Sequence, residues 1–171
     1  MTPAQPIPSE PHVVPAGEHP IWQEALAAVN RDLAATLPEP HPLCLVAWPP
    51  EGYEGEQVYV ALDGGDAHGN SLQPAGSVEA ALPVVAEAAQ DTIMGCRWQV
   101  WPVCTIHGLG MHVAQEAGRP VWWCAGGGPR EPAHARAAIG ELATVHRPRR
   151  PNRKRRKDGK DREERRRRQG D

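Results

Sequence analysis

The chain has 171 residues, enough for one domain with appendages and too few for a second full domain. Its formal net charge of −2 averages two opposite parts: from Arg147 onward 14 Arg/Lys face 5 Asp/Glu, a net of +9, while the first 146 residues carry a net of −11. No run approaches the roughly 20 apolar residues of a membrane span, and the N-terminus lacks a basic region followed by an apolar stretch, so a cytoplasmic protein with no membrane partner is expected.

Residues 1–19 carry Pro at positions 3, 6, 8, 11 and 15. The missing amide donors and fixed φ angles predict an extended or disordered leader. Pro20 sits where a first helical turn tolerates it, and Trp22, Leu26, Val29, Leu33 and Leu37 then recur at helical spacing. The pattern predicts one core-packing helix ending before Pro38, with Glu24, Arg31 and Asp32 facing water.

PLCLVAW (42–48) and EQVYVALD (56–63) are β-prone runs separated by a turn-rich linker, which predicts a hairpin. Cys44, inside the first run, reads as a small hydrophobe rather than a reactive thiol. The loop Asp63-Gly-Gly-Asp66-Ala-His68-Gly-Asn70 lacks the spacing and terminal Glu of a calcium loop.

Ser77 with Glu79 resembles a helix start, but Pro83 predicts that the regular helix runs from Pro83 to Met94, with Gly95 as its cap. RWQVWPV (97–103) and RPVWWC (119–124) read as strands flanking a His-rich loop. PAHARAAIGELATV (132–145) reads as a last helix.

Between Trp101 and His134 the chain gathers two cysteines and three histidines with the spacing Cys104-x2-His107-x4-His112-x11-Cys124-x9-His134. Thiolate and imidazole are the ligands zinc prefers, and a Cys-x-x-His knuckle brings two of them to one ion. Two tetrads are open: Cys104, His107 and Cys124 with His112, or the same three with His134. The alternative is that both cysteines are core residues and the histidines lie in a solvated loop. Without a secretion signal, the four cysteines (Cys44, Cys96, Cys104 and Cys124) are expected as free thiols or metal ligands rather than disulfides.

The segments WPVCTIH, PVWWC and AAIGEL resemble the C-terminal part of small uncharacterised proteins of actinobacteria and their phages, which share W-P-x-C-x-x-H, V-W-x-C and a closing I-G-x-L. The resemblance covers roughly residues 78–142 and implies no activity.

Familiar catalytic patterns are missing. The only serines are Ser9, Ser71 and Ser77, none in a nucleophile elbow. The zincin helix and the phosphate loop are absent too, and no Glu follows His107 as a zinc deaminase requires. Glu116 and Glu131 are the nearest candidate bases.

The segment after Arg147 has almost no apolar residue and cannot bury a core, so it is expected to be disordered when free. Arg149, Arg150, Arg153, Lys154, Arg155, Arg156, Lys157, Arg165, Arg166, Arg167 and Arg168 form the candidate nucleic-acid contacts, drawn to phosphate by counterion release without sequence readout. A solubilising tail, or one folding back on the acidic body, is the alternative.

The expectation is a small α+β domain over residues 20–146. Two or three helices pack on a short, mainly antiparallel sheet, with a zinc-ribbon-like hairpin at the C-terminal end and disordered termini. Its expected role is that of a non-enzymatic interaction or accessory protein with structural zinc, a basic tail giving nonspecific nucleic-acid affinity and an acidic body open to a protein partner. A metal-dependent enzyme with an open zinc position and a metal-free interaction domain with a solubilising tail are the competing readings.

Overall fold

A computed structural model of the chain describes residues 10–49 and 55–146. The first part of the leader and the whole basic tail, with its eleven candidate nucleic-acid contacts, lie outside the described residues. The element order is β1 (His12–Val13), α1 (Pro20–Thr36), β2 (Cys44–Trp48), β3 (Gln57–Ala61), α2 (Val78–Arg97), β4 (His112–Glu116), β5 (Arg119–Cys124), β6 (His134–Ala138) and a 3-10 turn at Leu142–Thr144. The fold is α+β, with two helices and two three-stranded antiparallel sheets, ordered β1-β2-β3 and β4-β5-β6. No helix among the described residues is long and apolar enough to cross a membrane.

Helix α1 begins at Pro20, where the missing amide costs nothing, and ends where Leu37 N–H closes on Leu33 O at 3.0 Å before Pro38. Glu24 and Arg31 are exposed, as the periodicity predicts. Asp32 is not: it is fully buried. It lies four residues from Ala28 and three from Val29, so helical geometry places it on the edge of the buried stripe. Asn30, also on α1, clamps the entry to β2. Its amide donates to Leu43 O at 2.9 Å and its carbonyl accepts from Leu43 N at 2.9 Å.

The expected hairpin is present. β2 and β3 pair from Cys44↔Ala61 to Trp48↔Gln57. The described end of the leader is extended and docked, with β1 along β2 and Val14 N donating to Leu45 O at 2.9 Å. Cys44 is half-buried, and its thiol donates to Leu62 O at 3.3 Å.

Helix α2 departs from expectation at both ends. It starts at Val78 because the Ser77 hydroxyl accepts the Ala80 amide at 3.2 Å, and Pro83 is carried inside it. Pro83 has no N–H for the carbonyl of Glu79, but Glu79 is exposed, so water can take that bond. Nor does Gly95 cap the helix, which runs on to Arg97 and closes at Trp98 in the left-handed region (φ 53°). Gly95 is required instead because the His68 ring lies where a Cβ would stand.

In the segment 97–103, expected as a strand, Arg97 ends α2 and 98–103 are irregular, with only Val103 making a bridge, to Gly110. Trp101 takes its polar partners from the helices. Gln90 of α2 donates to Trp101 O at 3.1 Å and Met111 O at 2.7 Å, and Trp101 Nε1 donates to Thr36 Oγ1 at 2.8 Å. Residues 132–145, expected as a helix, form β6 and the 3-10 turn. Helix propensity separates alanine from other ordinary residues by no more than about 0.7 kcal/mol per residue, a weak preference that tertiary context overrides. Pairing with the open edge of β5, together with Pro132 and Gly140 at φ 93°, outweighs that preference.

One buried carboxylate ties these parts together. Asp32 accepts from Trp122 Nε1 at 2.7 Å, Gly140 N at 2.6 Å and Leu142 N at 2.7 Å. Burial lifts its carboxyl above the ordinary range, against the pull of those three donors. Trp122 also packs edge-on against Trp101, with ring centroids 5.3 Å apart. Residues of all three short segments, WPVCTIH, PVWWC and AAIGEL, thus meet at or beside Asp32.

Candidate metal centre

The Cys-x-x-His knuckle is a tight turn. Gly108 N donates to Cys104 O and Cys104 N to Leu109 O, both at 2.8 Å, and Gly108 takes φ 69°, which a side chain would resist. The turn aims Cys104 and His107 at β5. Trp122 and Cys124 both face the core from that strand, one pleat repeat apart.

The candidate ligand atoms of Cys104, His107 and Cys124 all lie within 4.8 Å of one another. His107 Nδ1 is 3.3 Å from Cys124 Sγ and 3.9 Å from Cys104 Sγ, and Cys104 Sγ is 3.7 Å from His134 Nε2. In a tetrahedral zinc site with Zn–S about 2.3 Å and Zn–N about 2.0–2.1 Å, neighbouring ligand atoms stand about 3.5–3.8 Å apart. The separations bracket that range. Both thiols are fully buried, so the cluster is closed toward the core.

The two contested histidines part company by strand register. His112 pairs with Trp123, whereas His134 pairs with Cys124. Directly opposed residues share a face and successive residues alternate. His112 therefore lies on the face opposite Cys124 and is exposed, while His134 lies on the same face as Cys124, with its ring centroid 5.1 Å from that of His107. His134 Nδ1 sits 3.4 Å from Pro132 O, the outer contact that turns an imidazole so that Nε2 faces inward.

No protein-family model matches the chain, and no curated protein or solved structure is significantly similar to it.

The Gly-Gly-Gly run after Cys124 offers no ligand side chain but performs two other tasks. The Gly126 amide donates to the Cys124 sulfur, opposing the rise in the thiol's pKa that burial and the neighbouring Cys104 produce. Gly126 also takes φ 76°, and a Cβ there would collide with the Glu131 carbonyl, so only glycine lets the chain turn back from β5 into β6. That return sets His134 opposite Cys124.

The candidate bases stand apart from the cluster. Glu116 is paired with Arg119 at the far end of the β4–β5 hairpin from His112, and the Glu131 carboxylate folds over Gly127. A groove of about 520 Å³ between β3 and α2, lined by Tyr59, Asn70, Glu87 and Asp91 among others, includes none of the cluster residues. Cys104, His107 and Cys124 can hold a metal ion.

Proposed function

We propose that the body is a non-enzymatic interaction module stabilised by one structural zinc ion on Cys104, His107, Cys124 and His134. The basic tail adds sequence-independent affinity for nucleic acid, and the acidic body is open to a protein partner. The observation that carries the metal reading is the convergence of two buried thiols and one imidazole within 4.8 Å, with a second imidazole 3.7 Å from Cys104. Two sulfurs and one nitrogen within 4.8 Å of one another, with a second nitrogen 3.7 Å from one of the sulfurs, favour zinc over the harder cations, which prefer oxygen. A knuckle facing a strand is the layout of half a zinc ribbon, here completed by β6 instead of a second knuckle.

Four protein ligands leave no position for a reactive water, and neither Glu116 nor Glu131 is poised beside the cluster, which favours a structural ion over a catalytic one. Four free cysteines accord with a reducing compartment and a cytoplasmic location. Kinship with the small actinobacterial and phage proteins is part of the same proposal.

The test is elemental analysis of the full chain purified without chelator. One zinc per chain, unfolding on chelation and loss of tightly held metal in His134→Ala are expected. Stoichiometric metal that survives substitution of both His112 and His134 would refute the closed tetrad and favour an open, catalytic ion. Absence of metal would refute both.

A further inference from the structure

Six of the eight large apolar side chains exposed among the described residues fall between positions 94 and 109: Met94, Trp98, Val100, Val103, Ile106 and Leu109. They lie along one stretch of chain that runs from the end of α2 through the knuckle. Met94 and Trp98 are a helical turn apart, Val100 rests against Gly110, and Gly110 bridges to Val103. Trp98 is 92% exposed, held outward by its left-handed backbone at the end of α2. Large apolar surface left open in this way marks a binding face.

Two further observations select the occupant. The first is charge. The body is strongly acidic, yet no Asp or Glu occurs between Asp91 and Glu116, and Arg97 adjoins the exposed indole. This stretch carries no carboxylate of its own to repel phosphate, although Asp66 acts on it from outside at Cys96. The second is the origin of the tail. One guanidinium nitrogen of Arg136 donates to Thr105 Oγ1 in the knuckle at 3.0 Å and to Val145 O at 3.1 Å. The segment with a net charge of +9 therefore departs, two residues after Val145, from beside the knuckle.

We infer that the knuckle face binds single-stranded nucleic acid, with an unpaired base stacked on Trp98 and the flanking phosphates drawn by the tail. A base offers its π-face to an indole only when it is out of a duplex, and such stacking tolerates any sequence. Body and tail then divide the work: the tail attracts any polyanion and the indole selects unpaired strands. The inference rests on the nucleic-acid part of the function proposed above.

The experiment uses the full chain with its metal, a short labelled oligothymidylate and a duplex of the same length, read by fluorescence anisotropy. Wild type should prefer the single strand. Trp98→Ala should weaken single-strand binding about 5- to 100-fold and leave duplex binding unchanged, and Trp98→Tyr should restore most of the loss. Metal content and circular dichroism check that the variants fold. Equal affinity of wild type and Trp98→Ala for the single strand, or equal losses on both probes, overturns the inference while leaving tail-driven duplex binding intact. Failure of wild type to bind either probe overturns it together with the tail's assignment. Loss of self-association or of a bound protein in Trp98→Ala, with oligonucleotide binding intact, gives the face to a protein and also overturns it.

Discussion

In the β1-β2-β3 sheet, β2 and β3 bury Leu45, Val46, Ala47, Val58, Val60 and Ala61, so apolar area withdrawn from water at about 25 cal/mol per Å² suffices to hold it. The β4-β5-β6 sheet is poorer. β6 reads His-Ala-Arg-Ala-Ala with every residue only half-buried, β4 buries none fully, and β5 alone sends large side chains into the core. What that sheet lacks in area it gains in directed polar contacts. Trp122 and the turn after β6 converge on Asp32, while the strand ends at Cys124 and His134 face the knuckle. Two sheets of one size can thus rest on different forces, one nondirectional and tolerant, the other dependent on a few atoms.

The sharpest way to break this contrast is at the thiols. Cys124→Ser should release the metal and remove most of a stabilisation that in small modules is on the order of 10 kcal/mol. Hydrogen exchange should then quicken in β4, β5 and β6 before β2 and β3. Exchange rising equally in both sheets would show that they share one support.

Next comes the carboxylate. Asp32→Ala orphans an indole and two amide donors in a buried place and should cost about 3–5 kcal/mol by denaturant unfolding. Asp32→Asn keeps an acceptor for two of the three donors and should cost about 1–3 kcal/mol. The pH dependence has a fixed sign. Because burial raises the folded-state pKa of Asp32, the unfolded chain gives up its proton first as pH climbs. The wild type's advantage over Asp32→Asn should therefore shrink from the ordinary Asp range upward to the raised value. An advantage that grows with pH over that window would contradict the assignment.

The smallest effect should come from His112→Ala, which removes an exposed side chain from the outer face of β4. Stability should change by less than about 0.5 kcal/mol and metal content not at all.

The first half of the chain was the more legible because its elements are specified locally. The helical stripe from Trp22 to Leu37 and the two β-prone runs around the turn each carry their own local signal, and each appears where expected. Failures cluster where a distant partner decides. Asp32 looks like surface until Trp122, Gly140 and Leu142 arrive from the other end of the chain. Residues 132–145 look helical until β5 presents an open edge, and 97–103 look like a strand until Gln90 and Thr36 take up the polar groups of Trp101. At the candidate metal centre, Cys104, His107 and Cys124 were named by residue type and spacing alone, whereas only strand register separates His112 from His134.

The sequence by itself determined the α+β class, the first helix and hairpin, the three converging candidate ligands and the segregation of charge, because all of these reside in composition or short-range patterning. Only the tertiary structure decided that the chain closes at Asp32, that His134 faces Cys124 while His112 turns away, and that Arg136 ties Thr105 of the knuckle to Val145. Those outcomes depend on which strand pairs with which and in what register, and a shift of one residue in register reverses every face.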